Sequence, residues 1–133
     1  MNNTQSILRG LIICLLFFVT PTQSSDDVEK VLFLVFEEDE VVASNTRFGR
    51  FDRLKMHAKE KVLQHIAAEA VAVVITNQRY IAYGIFNGWR SVRIRASEKV
   101  KAVEAEDYSA LVVTSDRILN FYGRNGVWSQ TRR

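Results

Sequence analysis

Cysteine is nearly missing from this chain of 133 residues: Cys14 is the only one. Beyond residue 24 there is no thiol, which excludes disulfides, cysteine-ligated metals and a cysteine nucleophile from that part of the chain. Histidine is almost as scarce. His57 and His65 are the two present, and no His-Glu-x-x-His pattern accompanies them, so a zinc site has no ligand set. Charge of one sign is not in excess either, with 18 Lys and Arg against 15 Asp and Glu. Without Arg9 the balance is 17 to 15, too small a surplus to argue for nucleic acid. Neither a Gly-x-Ser-x-Gly elbow nor a phosphate-cradling glycine loop occurs.

The one long apolar stretch, LIICLLFFV from Leu11 to Val19, is 9 residues. That is far short of the roughly 20 residues needed to span a bilayer. With Arg9 before it and Thr22-Gln23-Ser24 after it, the segment reads as a signal peptide over residues 1–24, cleaved after export. The expected location is periplasmic or secreted, with a membrane contact only through the signal peptide if it stays uncleaved. The rest, 25–133, is long enough for one domain with its own core.

What the chain does have is repetition. Thr76-Asn77-Gln78-Arg79 matches Thr114-Ser115-Asp116-Arg117, and Asn87-Gly88 matches Asn125-Gly126, both 38 residues apart. Lys59-Glu60-Lys61-Val62 matches Ser97-Glu98-Lys99-Val100 at the same distance. Carried back once more, the offset sets Leu32 to Phe36 opposite Ala70 to Val74 and Tyr108 to Val112. It also sets Phe51 opposite Trp89, Leu54 opposite Val92, and Glu38-Asp39-Glu40-Val41 where the other copies have Thr-x-x-Arg. A period in this range marks repeat architectures. The copies run over about 25–59, 60–97 and 98–133.

Each copy reads as strand, tight turn, strand, turn, strand. VAVVIT and ALVVT are β-branched runs ended by polar pairs, and RYIAYGI and RILNFY follow them. Asn-Gly then supplies a hairpin turn, and the third strand begins at tryptophan. Trp89 and Trp128 are 39 apart, which implies one inserted residue after Gly126. His57 to Ala70 has helix-favouring composition, with Ala58, Val62 and Ile66 at helical spacing, but its counterpart Arg95 to Asp107 alternates as a strand does. The repeat decides for strand in both. Val71, Val73 and Ile75 alternate with Ala72 and Val74, so this strand is apolar on both faces and its sheet needs covering twice.

VVTSDRILNFYGRNGVWSQ, with its turn, strand, and glycine followed closely by tryptophan, resembles the blades of quinoprotein-type β-propellers. The likeness covers residues 60 to 133 well and 31 to 59 poorly. It implies an all-β fold of three tandem antiparallel meander repeats of about 38 residues. Because propellers close with about four to eight blades, the copies form an open stack, a part-propeller, or a single barrel-like body akin to a β-trefoil. Thr-x-x-Arg before an apolar strand, as in TNQRYIAY and TSDRILNF, also resembles the start of bacterial pleckstrin-homology-like domains, which bind membrane surfaces.

No catalytic residue, cofactor site or metal site emerges from these patterns. His57, opposite Arg95, belongs on an exposed strand face, and His65, opposite Val103, is expected half-buried. Glu37 to Glu40 line up four carboxylates without the spaced Asp-x-Asp loop of a calcium site. The residues that recur, Arg79 with Arg117 and Trp89 with Trp128, are binding candidates, the arginines as repeated ligand sites for a carboxylate or phosphate. The competing reading has the arginines closing turns and the tryptophans filling core between sheets. The expected function is a non-catalytic binding or scaffold module for a protein, peptide or glycan, with homo-oligomers possible through sheet edges. The alternatives are an enzyme or cofactor-dependent sensor completed by oligomerisation, and a membrane-surface binder.

Overall fold

The structure, a computed structural model, describes residues 30–133. The expected signal peptide lies outside them. The described residues form eleven strands: β1 (Leu32–Phe36), β2 (Glu40–Asn45), β3 (Arg50–Lys55), β4 (Val62–Ala67), β5 (Val71–Thr76), β6 (Arg79–Gly84), β7 (Gly88–Arg93), β8 (Val100–Glu106), β9 (Ser109–Thr114), β10 (Arg117–Tyr122) and β11 (Val127–Arg132). They pair antiparallel into three separate sheets in simple meander order, β1-β2-β3, β4-β5-β6-β7 and β8-β9-β10-β11. The sheets remain separate, so the barrel-like alternative is set aside in favour of an open stack or part-propeller.

The stretch with helical composition forms β4, which pairs with β5 through a bulge between Val62 and Gln64. β8 carries the same bulge between Val100 and Ala102. Ahead of each strand the chain turns through a positive φ at Lys59 (60°) and Ser97 (62°). Two such features per copy break any helical run.

β5 is buried along its whole length. Its Val71, Val73 and Ile75 join Tyr80, Ala82, Val112, Leu119 and Phe121 in the core between the second and third sheets. Its Ala72 and Val74 face the first sheet, in cores with Leu32, Ala43 and Tyr83 and with Val41 and Ile81. One unit alone leaves this strand uncovered, and stacked copies bury it twice.

The first copy fits its neighbours one residue later than the offset of 38 places it. Phe36 pairs with Val41 as Ile75 pairs with Tyr80, so β1 and β2 precede β5 and β6 by 39. Leu54 pairs with Val41 as Val92 pairs with Tyr80, which returns β3 to an offset of 38. Residues 46–49 connect β2 to β3, whereas 85–87 connect β6 to β7, and the extra residue accounts for the shift. A one-residue slip exchanges the two faces of a strand. Leu32, Leu34 and Phe36 therefore face the second sheet, Phe33 and Val35 face away, and Glu37 and Glu40 hold the places of Thr76 and Arg79. The inserted residue expected near Gly126 is seen as well, since 123–126 join β10 to β11.

Candidate functional site

Arg79 and Arg117 sit in matching polar clusters at the junctions between sheets. Arg117 Nε and Nη2 donate to Glu98 Oε2 (2.8 Å) and Oε1 (3.0 Å), and Nη2 also donates to the carbonyl oxygen of Arg93 in β7 (2.9 Å). Arg79 does the same with Glu60 (2.9 and 3.0 Å) and with the Lys55 carbonyl in β3 (2.9 Å). Each arginine thus holds a carboxylate of its own sheet and the last strand of the sheet before it. Thr76 and Thr114 complete the clusters, each hydroxyl donating to the glutamate (2.7 and 2.8 Å) and accepting from the arginine's amide (3.0 Å in both).

Both glutamate side chains are fully buried. Burial is the largest single influence on each and pushes the carboxyl up, but the arginine, a backbone amide and the threonine hydroxyl together outweigh it and hold Glu60 and Glu98 at about 2. Sequence reasoning aligned these glutamates and assigned them no role. The available signal was a recurring Glu at a fixed distance before a recurring Thr-x-x-Arg.

The tryptophans occupy the same junctions. Trp89 Nε1 donates to the Asp52 carbonyl in β3 (3.0 Å), and Trp128 Nε1 donates to the Arg90 carbonyl in β7 (3.2 Å). Their rings pack on Tyr83 (5.0 Å between centroids) and Phe121 (5.3 Å). Tyr83 further links the first two sheets by donating to Asp52 and accepting from Asn45 Nδ2 (3.1 Å). The four recurring candidates are therefore distributed over two inter-sheet junctions. Arg117 and Trp128 line one cavity of about 230 Å³ with Val92 and Leu119, while Arg79 and Trp89 lie at the other junction.

His57 lies exposed in the connection from β3 to β4, not on a strand. His65 is exposed instead of half-buried, with its ring 4.4 Å from Phe36. Among the described residues, no group of three His, Cys, Asp or Glu could hold a metal, and no helix is long and apolar enough to cross a membrane.

The surface that departs most from the pattern of the repeat is the outward face of the first sheet. The pairs Val35–Val42, Phe33–Ser44 and Ser44–Phe51 stand in register with Val74–Ile81, Ala72–Tyr83 and Tyr83–Trp89. In the second sheet those positions pack against the sheet before. In the first sheet Phe33 is 42 %, Val35 47 % and Phe51 70 % exposed, around a buried Val42. The Glu40–Arg53 ion pair and Lys55 border this apolar face, and Lys30 Nζ lies 4.9 Å from the centre of the Phe33 ring.

No family model matches the sequence, and no curated protein matches it. Among solved structures, the chain is similar to one chain of the complex of a S. cerevisiae Dbp5 variant bound to Nup159, a Gle1 variant, IP6 and ADP, at 10 % identity and a TM-score of 0.42 over 78 % of this chain and 31 % of that one. It is also similar to the N-terminal domain of Nup159, at 15 % identity and a TM-score of 0.38 over 74 % of this chain and 29 % of that one. The chain spans less than a third of the length of either.

Proposed function

We propose that this chain is a non-catalytic binding module, working in the periplasm or outside the cell, that docks a protein partner on the outward face of its first sheet. The observation that supports the reading is Phe51, 70 % exposed at the position where the other copies pack tryptophan between sheets. A contiguous apolar face left open on a folded domain marks an interaction surface. β7, the last strand of the second sheet, is less suited to docking, because it presents Arg90 and Arg93 at its edge and charged edges discourage strand addition. The partner therefore meets the face and not an edge.

The test is photo-crosslinking in the native host, with a photoreactive residue in place of Phe51 or, as a control on the opposite end of the stack, in place of Leu111. A discrete protein adduct from the first position, lost in the Phe33→Ser background and missing from the second position, supports the reading. Equal adducts from both positions overturn it.

A further inference from the structure

The two inter-sheet junctions are built from equivalent positions, yet the positions around Tyr80 are filled at the second junction and their counterparts are open at the first. At the second junction, Ile75 and Tyr80 are buried and Ile94, Val100 and Val103 pack against them in one continuous core. The Tyr80 ring lies 6.0 Å from the Arg117 guanidinium. At the first junction the corresponding residues are Phe36, Val41, Met56, Val62 and His65. Together with Glu37, Glu38, Glu60 and Lys61 they line a cleft of about 500 Å³, within the range of small-molecule sites.

The cause is legible in the residues. Val41 stands where the next copy has Tyr80 and His65 where it has Val103, while Phe36 brings a ring to the place of Ile75 and lies 4.4 Å from the His65 ring. Phe36 remains 39 % exposed although it faces the second sheet, which is the expected consequence of an unfilled space beside it. The floor is apolar. The rim is acidic, with Glu37 and Glu38 where the second copy has Thr76 and Asn77, against a single Lys61. Among the described residues neither of these glutamates takes part in an ion pair, and both are exposed.

We propose that this cleft binds a small aromatic amine, its ring against the exposed Phe36 and His65 and its ammonium group at the Glu37–Glu38 rim. Ring and charge are both required. The apolar floor and the exposed Phe36 recognise the ring. The two rim carboxylates favour a cation over a neutral or anionic group. The cleft lies on the opposite side of the first sheet from the protein-docking face, so the two readings stand or fall separately.

Phenethylamine, benzyl alcohol and phenylacetate share a ring and differ in charge. Each is titrated into the nitrogen-labelled protein and followed by amide chemical shifts. Saturable shifts confined to residues 36–41 and 60–66 are expected with phenethylamine, binding about tenfold more tightly than benzyl alcohol, and none with phenylacetate. Val41→Tyr, which enlarges a residue of the cleft floor, weakens phenethylamine binding by tenfold or more. The exposed double variant Glu37→Thr/Glu38→Asn, which copies the second repeat, reduces the amine to the affinity of the alcohol and tests the rim even if the core variant does not fold. Absence of saturable shifts, phenylacetate binding as tightly as the amine, or unchanged amine binding in the double variant overturns the proposal.

Discussion

Arg117 Nη2 lies 2.9 Å from the carbonyl oxygen of Arg93, across the boundary between the third and second sheets. Arg93 ends β7, and its carbonyl has no further strand to pair with on that side. The arginine is thus both the partner of a buried carboxylate and a tie between layers. Its side chain is 4 % exposed and that of Glu98 is fully buried. Removing one member of a buried pair leaves the other charged and unpaired, at about 3–5 kcal/mol. Arg117→Met should cost that much in urea denaturation, and Arg117→Lys should rescue little, because an ammonium cannot make the forked contact with Glu98 while reaching Arg93. The double variant Arg117→Met/Glu98→Leu should be less destabilised than the sum of its single changes.

The same clusters set the response to acid. Glu60 and Glu98 titrate at about 2 in the folded chain, below an ordinary value of 4.5, so the folded state holds their protons more weakly than the unfolded state does. Their contribution is complete above pH 4.5 and is lost as the pH falls toward 2, amounting to roughly 3 kcal/mol for each group. Stability measured by denaturant titration should fall across that window. Glu98→Gln should be less stable at neutral pH and show a shallower fall below pH 4.5; an unchanged slope would mean that other carboxylates carry the acid response.

Much of this architecture was legible in the residues. VAVVIT, apolar on both faces, required two covering layers, and the recurrence of Thr-x-x-Arg and Asn-Gly overruled the helical composition of His57 to Ala70. The register of the first copy was not legible. LFLVF is apolar at every position, so its sequence does not say which face is inward. The extra residue that shifts it lies in a turn, recognisable only once Leu54 and Val41 are known to pair. For the same reason Phe33 and Phe51 gave no sign that they would stand exposed, and Val41 no sign that it takes Tyr80's place. Glu60 and Glu98 were hidden differently: a buried glutamate and a solvated one look alike until the arginine that neutralises it is in place.

Phe51 and Trp89 hold equivalent positions with opposite surroundings, and substitution should separate them. Phe51→Ser removes a ring that is 70 % exposed and should change stability by no more than about 0.5 kcal/mol. Trp89→Ser removes a ring packed on Tyr83 and a hydrogen bond to Asp52, and should cost about 3–5 kcal/mol. Equal losses in thermal or chemical unfolding would show that the outward face of the first sheet is not free in the isolated protein.

Two glycines should respond to alanine in different ways. Gly123 lies where the turn from β10 to β11 meets the second sheet, and a Cβ there would stand 2.4 Å from Val71 Cγ1 and 3.0 Å from the Tyr108 carbonyl oxygen. Val71 is fully buried in the central strand, so the clash cannot be relieved by a surface rotation. Gly123→Ala should cost about 1–3 kcal/mol through overpacking. Gly49 has open space around its Cβ position but a φ of +61°. Its alanine variant meets no neighbour and loses only the backbone's ease in the left-handed region, about 1 kcal/mol. Val71→Ala, itself costly because Val71 is fully buried, should cost less in the Gly123→Ala background than in the Gly49→Ala background, because Val71 obstructs only the first. Denaturation of the four variants, single and double, measures this coupling directly, and equal effects of Val71→Ala in both backgrounds would mean that the second and third sheets are not in contact at Gly123.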